Sequence, residues 1–253
     1  MNRYHASLNG KSLSALSDAI IITDIRENVP EESITTQPRP FANGMRFLRK
    51  QRQSISVTIA LAIATPDVEA RKSICIQVQR WARNGGILRI NDRDGQYLSV
   101  VCTQLPTVTS AMDWQQNIEI VLTAYEDPFW QSSGTVSVTT TGLTTLMVPG
   151  TAETVRGHAV VTNTGAENMT TVSVRTSASV IAFSSLSIAP GGQLEMGYDD
   201  NGIFYARVGD ASALGNRSVN TDDDLLVAVG RNDVRVTSNT SASLTLTARG
   251  AWL

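Results

Sequence analysis

Histidine and cysteine are nearly missing from this sequence, with two of each among 253 residues, and that scarcity removes whole classes of chemistry. His5 stands near a terminus and His158 within an expected strand, so a hydrolytic triad or a histidine metal site has few places to form. There is no His-Glu-x-x-His, no Gly-x-Ser-x-Gly elbow, no Gly-x-x-x-x-Gly-Lys loop and no Cys-x-x-Cys pair. No catalytic residue, metal site or cofactor is therefore expected. Cys75 falls on an expected helix and Cys102 on an expected strand, which reads as two buried thiols, with a disulfide or a metal pair as the alternative. Strong charge is missing too: 21 basic against 23 acidic residues leave a net charge of -2, which argues against general nucleic-acid binding. No apolar run approaches the roughly 20 residues that span a bilayer, and the opening Met1-Asn2-Arg3-Tyr4-His5 does not read as a signal peptide. The expectation is assembly in a cytoplasm, where the sequons at Asn168, Asn216 and Asn239 would carry no glycan.

Aromatic residues make up only 6% of the chain, and their placement favours structure. Trp81 (on a helix stripe), Trp130 and Trp252 read as core anchors, while Trp114, among Asp113, Gln115 and Gln116, suits a core or a contact role equally. Carboxylates cluster only at Asp199 and in the run Asp222, Asp223, Asp224. These could serve acid and base chemistry or hold a cation, but solvated turns explain them as well.

The richest stretch runs from Thr65 to Trp130. Thr65 is placed to cap a helix with Pro66 at its first position, Asp67 and Glu69 favour the positive end of the helix dipole, and Ile74, Val78 and Trp81 form one apolar stripe. A helix over 66–83 follows, ended by Asn84-Gly85-Gly86. Strands are expected at Ile87–Ile90, Tyr97–Thr103 and Gln115–Ala124, and before the helix at Ala19–Ile25 and Ser54–Ala62, where Ile55, Val57, Ile59 and Leu61 share a face. Asn91-Asp92-Arg93-Asp94-Gly95 resembles a calcium loop, yet with the Gly at loop position six the first and twelfth positions fall on Ile90 and Val101, which lack ligand oxygens, so it reads as a turn.

Composition shifts at Gln131-Ser132-Ser133-Gly134: every lysine lies before it, and Thr, Ser, Val and Gly dominate after it. The expected domains are therefore 1–133 and 134–253. The second shows eight short strand signals, at Thr135–Thr139, Gly157–Asn163, Thr170–Arg175, Gln193–Tyr198, Gly202–Arg207, Leu225–Val229, Val234–Ser238 and Ser243–Arg249, which argue a β-sandwich. Pro190-Gly191-Gly192, Asp199-Asp200-Asn201-Gly202 and Gly230-Arg231-Asn232-Asp233 are its clearest turns. No period of 20 to 50 residues recurs.

Between the strands at Ala19 and Ser54 lies a long stretch with no sustained periodicity. Glu27, Glu31 and Glu32 open it, while Arg39, Arg46, Arg49, Lys50 and Arg52 close it. Connections of this length are often functional, so it is a candidate assembly arm, with a solvated loop as the alternative.

The order of a Trp-bearing helix, a Gly-Gly stop, an Asp-x-x-Gly turn and the ending Asp127-Pro128-Phe129-Trp130 resembles the distal tail proteins of long-tailed bacteriophages. In the second domain the resemblance is carried by Asp199 and Gly202, Asp210-Ala211-Ser212, the run Asp222 to Asp224, and Gly230 with Asn232. It implies a mainly β fold with one packed α-helix: an N-terminal ring-forming β domain followed by a C-terminal galectin-like β-sandwich. It also implies a structural role at the virion tail tip. A hexameric ring would join the tail-tube protein to a tail-associated hub or fibre protein, with the tape-measure protein as a further partner and no membrane or nucleic-acid recognition. Trp81 and the Asp127 to Trp130 ending become structural anchors, and the basic run after Gly44 matches a region that contacts ring neighbours. A β-sandwich module that binds host polysaccharide is the runner-up, and an enzyme comes third.

Overall fold

A computed structural model of the chain describes residues 4–28, 32–38, 45–107, 118–199 and 202–253. Glu31, Arg39, Gly44 and Trp114 lie outside these, as do the side chains of Glu32, Arg49, Lys50 and Arg52. The chain divides into two units, Met1–Trp130 and Gln131–Leu253, both mainly β.

The first unit contains β1 (Ala6–Leu8), β2 (Lys11–Ser12), β3 (Ile20–Glu27), β4 (Glu32–Pro38), β5 (Met45–Arg52), β6 (Ile55–Ile63), α1 (Val68–Ala82), β7 (Gly86–Ile90), β8 (Gln96–Gln104) and β9 (Ile118–Ala124). Seven of the strands form an antiparallel sheet in the order β3-β6-β9-β8-β7-β1-β2. The alternation expected in β6 is present: Ile55, Val57, Ile59 and Leu61 are all buried. At about 25 cal/mol per Å² of apolar area removed from water, such a face is what holds a central strand in place.

The helix begins later than expected. Asp67, not Thr65, is the cap, with its carboxylate accepting from the backbone N–H groups of Glu69 at 3.1 Å and Ala70 at 3.3 Å. A full negative charge suits the helix N-terminus better than a hydroxyl, and the Thr65 carbonyl is engaged elsewhere, by Arg71 Nη1 at 2.5 Å. The buried face is Arg71, Ile74, Cys75, Val78 and Ala82. At the far end Gly85 stops the helix with φ +63, where a side chain is strained, and an added Cβ would stand 2.2 Å from the Val100 carbonyl oxygen.

Within the long connection expected before β6, the described residues 32–38 and 45–52 form a β-ribbon. β4 and β5 form a separate two-stranded antiparallel sheet whose register sets Glu32 opposite Arg52, Thr35 opposite Arg49 and Gln37 opposite Arg46, with a bulge between Thr35 and Thr36. Its described side chains are all exposed, including Ile34 at 59%, Met45 at 57% and Leu48 at 48%. A ribbon with no buried face leaves no period-two signal in its sequence.

The second unit is a sandwich. One sheet runs β17 (Ala211–Ser212), β16 (Phe204–Val208), β15 (Gln193–Tyr198), β12 (Thr154–Asn163), β20 (Ala242–Trp252) and β10 (Trp130–Thr140), with β18 (Leu226–Ala228) also paired to β12. The other runs β11 (Leu143–Val148), β19 (Gly230–Ser238), β13 (Val172–Arg175) and β14 (Val180–Phe183). Leu146, Val161, Met169, Val174, Phe183, Leu194, Val236 and Leu246 are among the side chains packed between them. β11 and β14 were not expected. Two expected irregular segments are strand: Gln131 to Gly134 belongs to β10, and Gly230 to Asp233 opens β19.

Candidate functional site

The ending Asp127 to Trp130 is bound into the first unit through its tryptophan. Trp130 is fully buried, and its indole N–H donates to Glu27 Oε2 at 3.0 Å. Arg93, in the Asn91 to Gly95 turn, donates to both oxygens of that carboxylate, at 3.3 and 2.9 Å, and its guanidinium lies 5.6 Å from the centre of the Trp130 ring. The turn Asn91 to Gly95 thus presents a cation to Glu27. Ahead of the tryptophan, the Phe129 N–H donates to the Asp127 carbonyl at 2.8 Å, and Pro128 and Phe129 are half-buried.

Trp81 is half-buried beside the buried helix face and donates its indole N–H to the Lys11 carbonyl at 2.8 Å, tying α1 to β2. Trp252 is also half-buried. The two cysteines are free; Cys75 is fully buried while Cys102 is only partly so, its Sγ contacting the Gln104 carbonyl at 3.5 Å. Burial raises both thiol pKa values.

Of the arm residues, Glu32, Arg46, Arg49, Lys50 and Arg52 lie on the ribbon, but their charges are not arranged as the linear sequence suggested. Antiparallel pairing folds the acidic start back onto the basic end, so Glu32 and Arg52 are register partners. Arg46 is exposed.

In the second unit the acidic run disperses. Asp222 Oδ2 accepts from the Val180 N–H at 2.7 Å, Asp223 pairs with Arg217 at 2.6 Å, and Asp224 lies near Tyr198. The Tyr198 hydroxyl pKa is raised, first by burial and then by the Asp224 charge. Three carboxylates with three different neighbours do not converge, and no group of three or more His, Cys, Asp or Glu able to hold a metal occurs among the described residues. Asp199 and Gly202 close a turn: the Ile203 N–H donates to Asp199 Oδ1 at 2.8 Å, and Gly202 sits at φ +73. Asn232 is fully buried and works as a backbone substitute, its Oδ1 accepting from the Ala228 N–H at 2.9 Å while its Nδ2 donates to the Ala228 and Gly230 carbonyls.

A constellation that sequence reasoning did not assemble lies on the outer face of β12, β15 and β16. Glu195 Oε1 accepts from the Tyr205 hydroxyl at 2.8 Å and faces His158 Nε2 at 3.1 Å, and Oε2 accepts from Arg207 Nε and Nη2 at 2.9 and 2.8 Å. The hydrogen bonds from His158, Arg207 and Tyr205 draw the Glu195 pKa down to about 2. A carboxylate so held is always ionised near neutral pH, a poor base and no acid. Glu195 and Arg207 are cross-strand partners, whereas His158 and Glu195 lie 37 residues apart in the chain. No short motif could have shown the cluster.

The antiparallel, helix-bearing unit followed by a two-sheet sandwich is a fold found in solved phage proteins. Among the solved structures with this likeness is the SPP1 Dit protein, described as a paradigm of the hub adsorption apparatus in phages infecting Gram-positive bacteria. It superposes with a TM-score of 0.67 at 9% identity, over 97% of this chain and 98% of that one. A chain of the phage P2 baseplate in its activated conformation with Ca covers 99% of both chains at 7% identity, with a TM-score of 0.43, a likeness too loose to support an argument. No protein-family model and no curated protein matches the sequence. At 9% identity the SPP1 Dit likeness establishes the fold and assigns no residue a role.

Proposed function

We propose that this chain is a structural hub of a phage tail tip. Residues 1–133 would form a hexameric ring that meets the tail-tube protein on one side and a tail-associated hub or fibre protein on the other, with the tape-measure protein as a further neighbour. Residues 134–253 would form a galectin-like sandwich on that ring. The observation that carries this reading is the extent of the SPP1 Dit likeness, which takes in 97% of the chain and so leaves neither unit over. A free-standing polysaccharide-binding module would use only the second unit.

Within this reading the β4–β5 ribbon is the assembly arm. It carries Ile34, Met45 and Leu48 exposed on a two-stranded sheet, and apolar side chains presented to solvent in this way mark contact surfaces. A closed ring requires two different complementary patches on each copy, and the ribbon supplies one of them. The role is structural and not enzymatic: the one His–carboxylate pair described, His158 with Glu195, is fixed in an ionic network unsuited to proton transfer.

The test is location. Gold-conjugated antibody against the chain, applied to intact particles of the phage that encodes it, should label the tail tip. Label on the capsid, or along the whole tail, would overturn the reading.

A further inference from the structure

The four-stranded sheet of the second unit has an unbalanced charge on its outer face. Strands β11, β19 and β13 carry four charged side chains, Arg175, Arg231, Asp233 and Arg235, and three of them are positive. Asp233 is engaged within the face: its Oδ1 lies 3.6 Å from Arg231 Nε and accepts from the Thr145 hydroxyl at 3.4 Å. Arg175 and Arg235 are exposed and make no hydrogen bond or ion pair among the described residues, although strand register sets them directly opposite each other. Like charges so placed destabilise a sheet, a cost that an anion bound between them would offset.

Both arginines line an open hollow of about 380 Å³, together with Leu143, Thr176, Ser177 and Asp233. The Thr176 hydroxyl is committed to the Leu226 carbonyl at 2.6 Å. Ser177 is not: its Oγ accepts from the Asp233 N–H at 3.0 Å, which fixes the oxygen and leaves the O–H to donate. Two guanidinium groups and a hydroxyl, all donors, match an oxyanion.

What carries that oxyanion follows from β11. Leu143 is 69% exposed opposite Arg235, and Met147 is 62% exposed opposite Arg231, so apolar and cationic side chains stand in pairs across two adjacent strands. An inorganic anion would use the arginines alone. A polypeptide with carboxylates set among apolar side chains uses both, and arginine and methionine are enriched in protein interfaces for this reason. Asp233 sharpens the choice, because its charge in the same hollow repels a doubly charged phosphate more than a single carboxylate.

We propose that the outer face of β11, β19 and β13 docks an acidic segment of a protein partner, with a carboxylate held between Arg175 and Arg235, the Ser177 hydroxyl donating to it, and Leu143 and Met147 against its apolar neighbours. Arginine clusters recognise acidic motifs in this way. The face needs only the second unit's own surface, so it stands or falls separately from the ring.

The test is fluorescence anisotropy on the full chain with a short labelled peptide of mixed glutamate and alanine, its glutamine counterpart as the neutral control, and inorganic phosphate as competitor. The acidic peptide should bind, the neutral one should not, and added salt should weaken binding. Arg175→Gln and Arg235→Gln should each lower the affinity about tenfold, the effect of losing one hydrogen bond to a charged group. Arg249→Gln, which removes the same charge from the other sheet, should leave it unchanged. Thermal melts add a second readout: relieving the like-charge pair should leave the melting temperature of the Arg175 and Arg235 variants equal to wild type or higher, whereas arginines with a structural role would lower it. No binding of the acidic peptide, an equal loss in Arg249→Gln, or displacement by phosphate beyond that of chloride at equal ionic strength would each overturn the proposal. So would light scattering that shows Arg175→Gln dissociating oligomers of the chain, which would give the face to a second copy.

Discussion

The Trp130 indole donates to Glu27, linking the last residue of the first unit to the end of β3, 103 positions earlier. Arg93 completes the contact from a third segment, binding the same carboxylate and covering the indole face. Replacing Trp130 with alanine removes a fully buried aromatic side chain and leaves Glu27 without one of its donors. The expected cost is roughly 3 to 5 kcal/mol. Urea denaturation followed by circular dichroism checks it, and a midpoint equal to wild type would show that the indole does not anchor the unit.

Asn232→Ala should destabilise the second unit by about 1 to 3 kcal/mol, because both backbone groups of Ala228 lose their side-chain partner in a buried place. Differential scanning calorimetry reads this directly. A melting curve unchanged from wild type would mean that water replaces the amide at no cost.

Acid should weaken the second unit through Glu195. Its folded pKa of about 2 lies below the ordinary value of 4.5, so its stabilising contribution is complete above about 4.5 and drains away as pH falls toward 2. Glu195→Gln should lower stability at neutral pH and remove this part of the pH dependence. Parallel denaturation curves across that range check the point, and identical pH profiles for the two proteins would contradict it.

The ribbon offers a test that separates assembly from folding. Ile34→Asp with Leu48→Asp places charge on side chains that are exposed in the chain, so the melting temperature should stay within a degree or two of wild type, as surface changes usually do. Ring formation should be lost. Changing Arg46, Arg49 and Arg52 to Glu should act more weakly, chiefly on assembly rate and its dependence on salt, as rim charges do. Size-exclusion chromatography with light scattering distinguishes these outcomes, and unaltered assembly in both variants would reduce the ribbon to a solvated hairpin.

The legible parts of this fold were those with a buried face. Ile55, Val57, Ile59 and Leu61 alternate because one side of β6 meets the core, and Gly85 was readable because few other residues end a helix at φ +63. The ribbon hid for the opposite reason, since every described side chain on β4 and β5 is exposed and the sequence carries no period. The helix cap slipped from Thr65 to Asp67 because two good capping residues compete within three positions. Among candidate site residues, the run Asp222 to Asp224 looked concentrated in sequence yet its carboxylates turn to separate neighbours. The Glu195 cluster was invisible in the converse way, since strand register alone brings β12, β15 and β16 side chains together.

Closure of copies of this chain into a ring is read out by negative-stain electron microscopy combined with mass photometry. The purified chain should be measured over a range of concentrations, alone and with the tail-tube protein, because ring closure depends on mass action and on partners that bind the assembled state. Closed annular particles of hexameric mass, six times the 27.2 kDa chain, are the expected result. Single-chain particles at every concentration, with and without the partner, would contradict it.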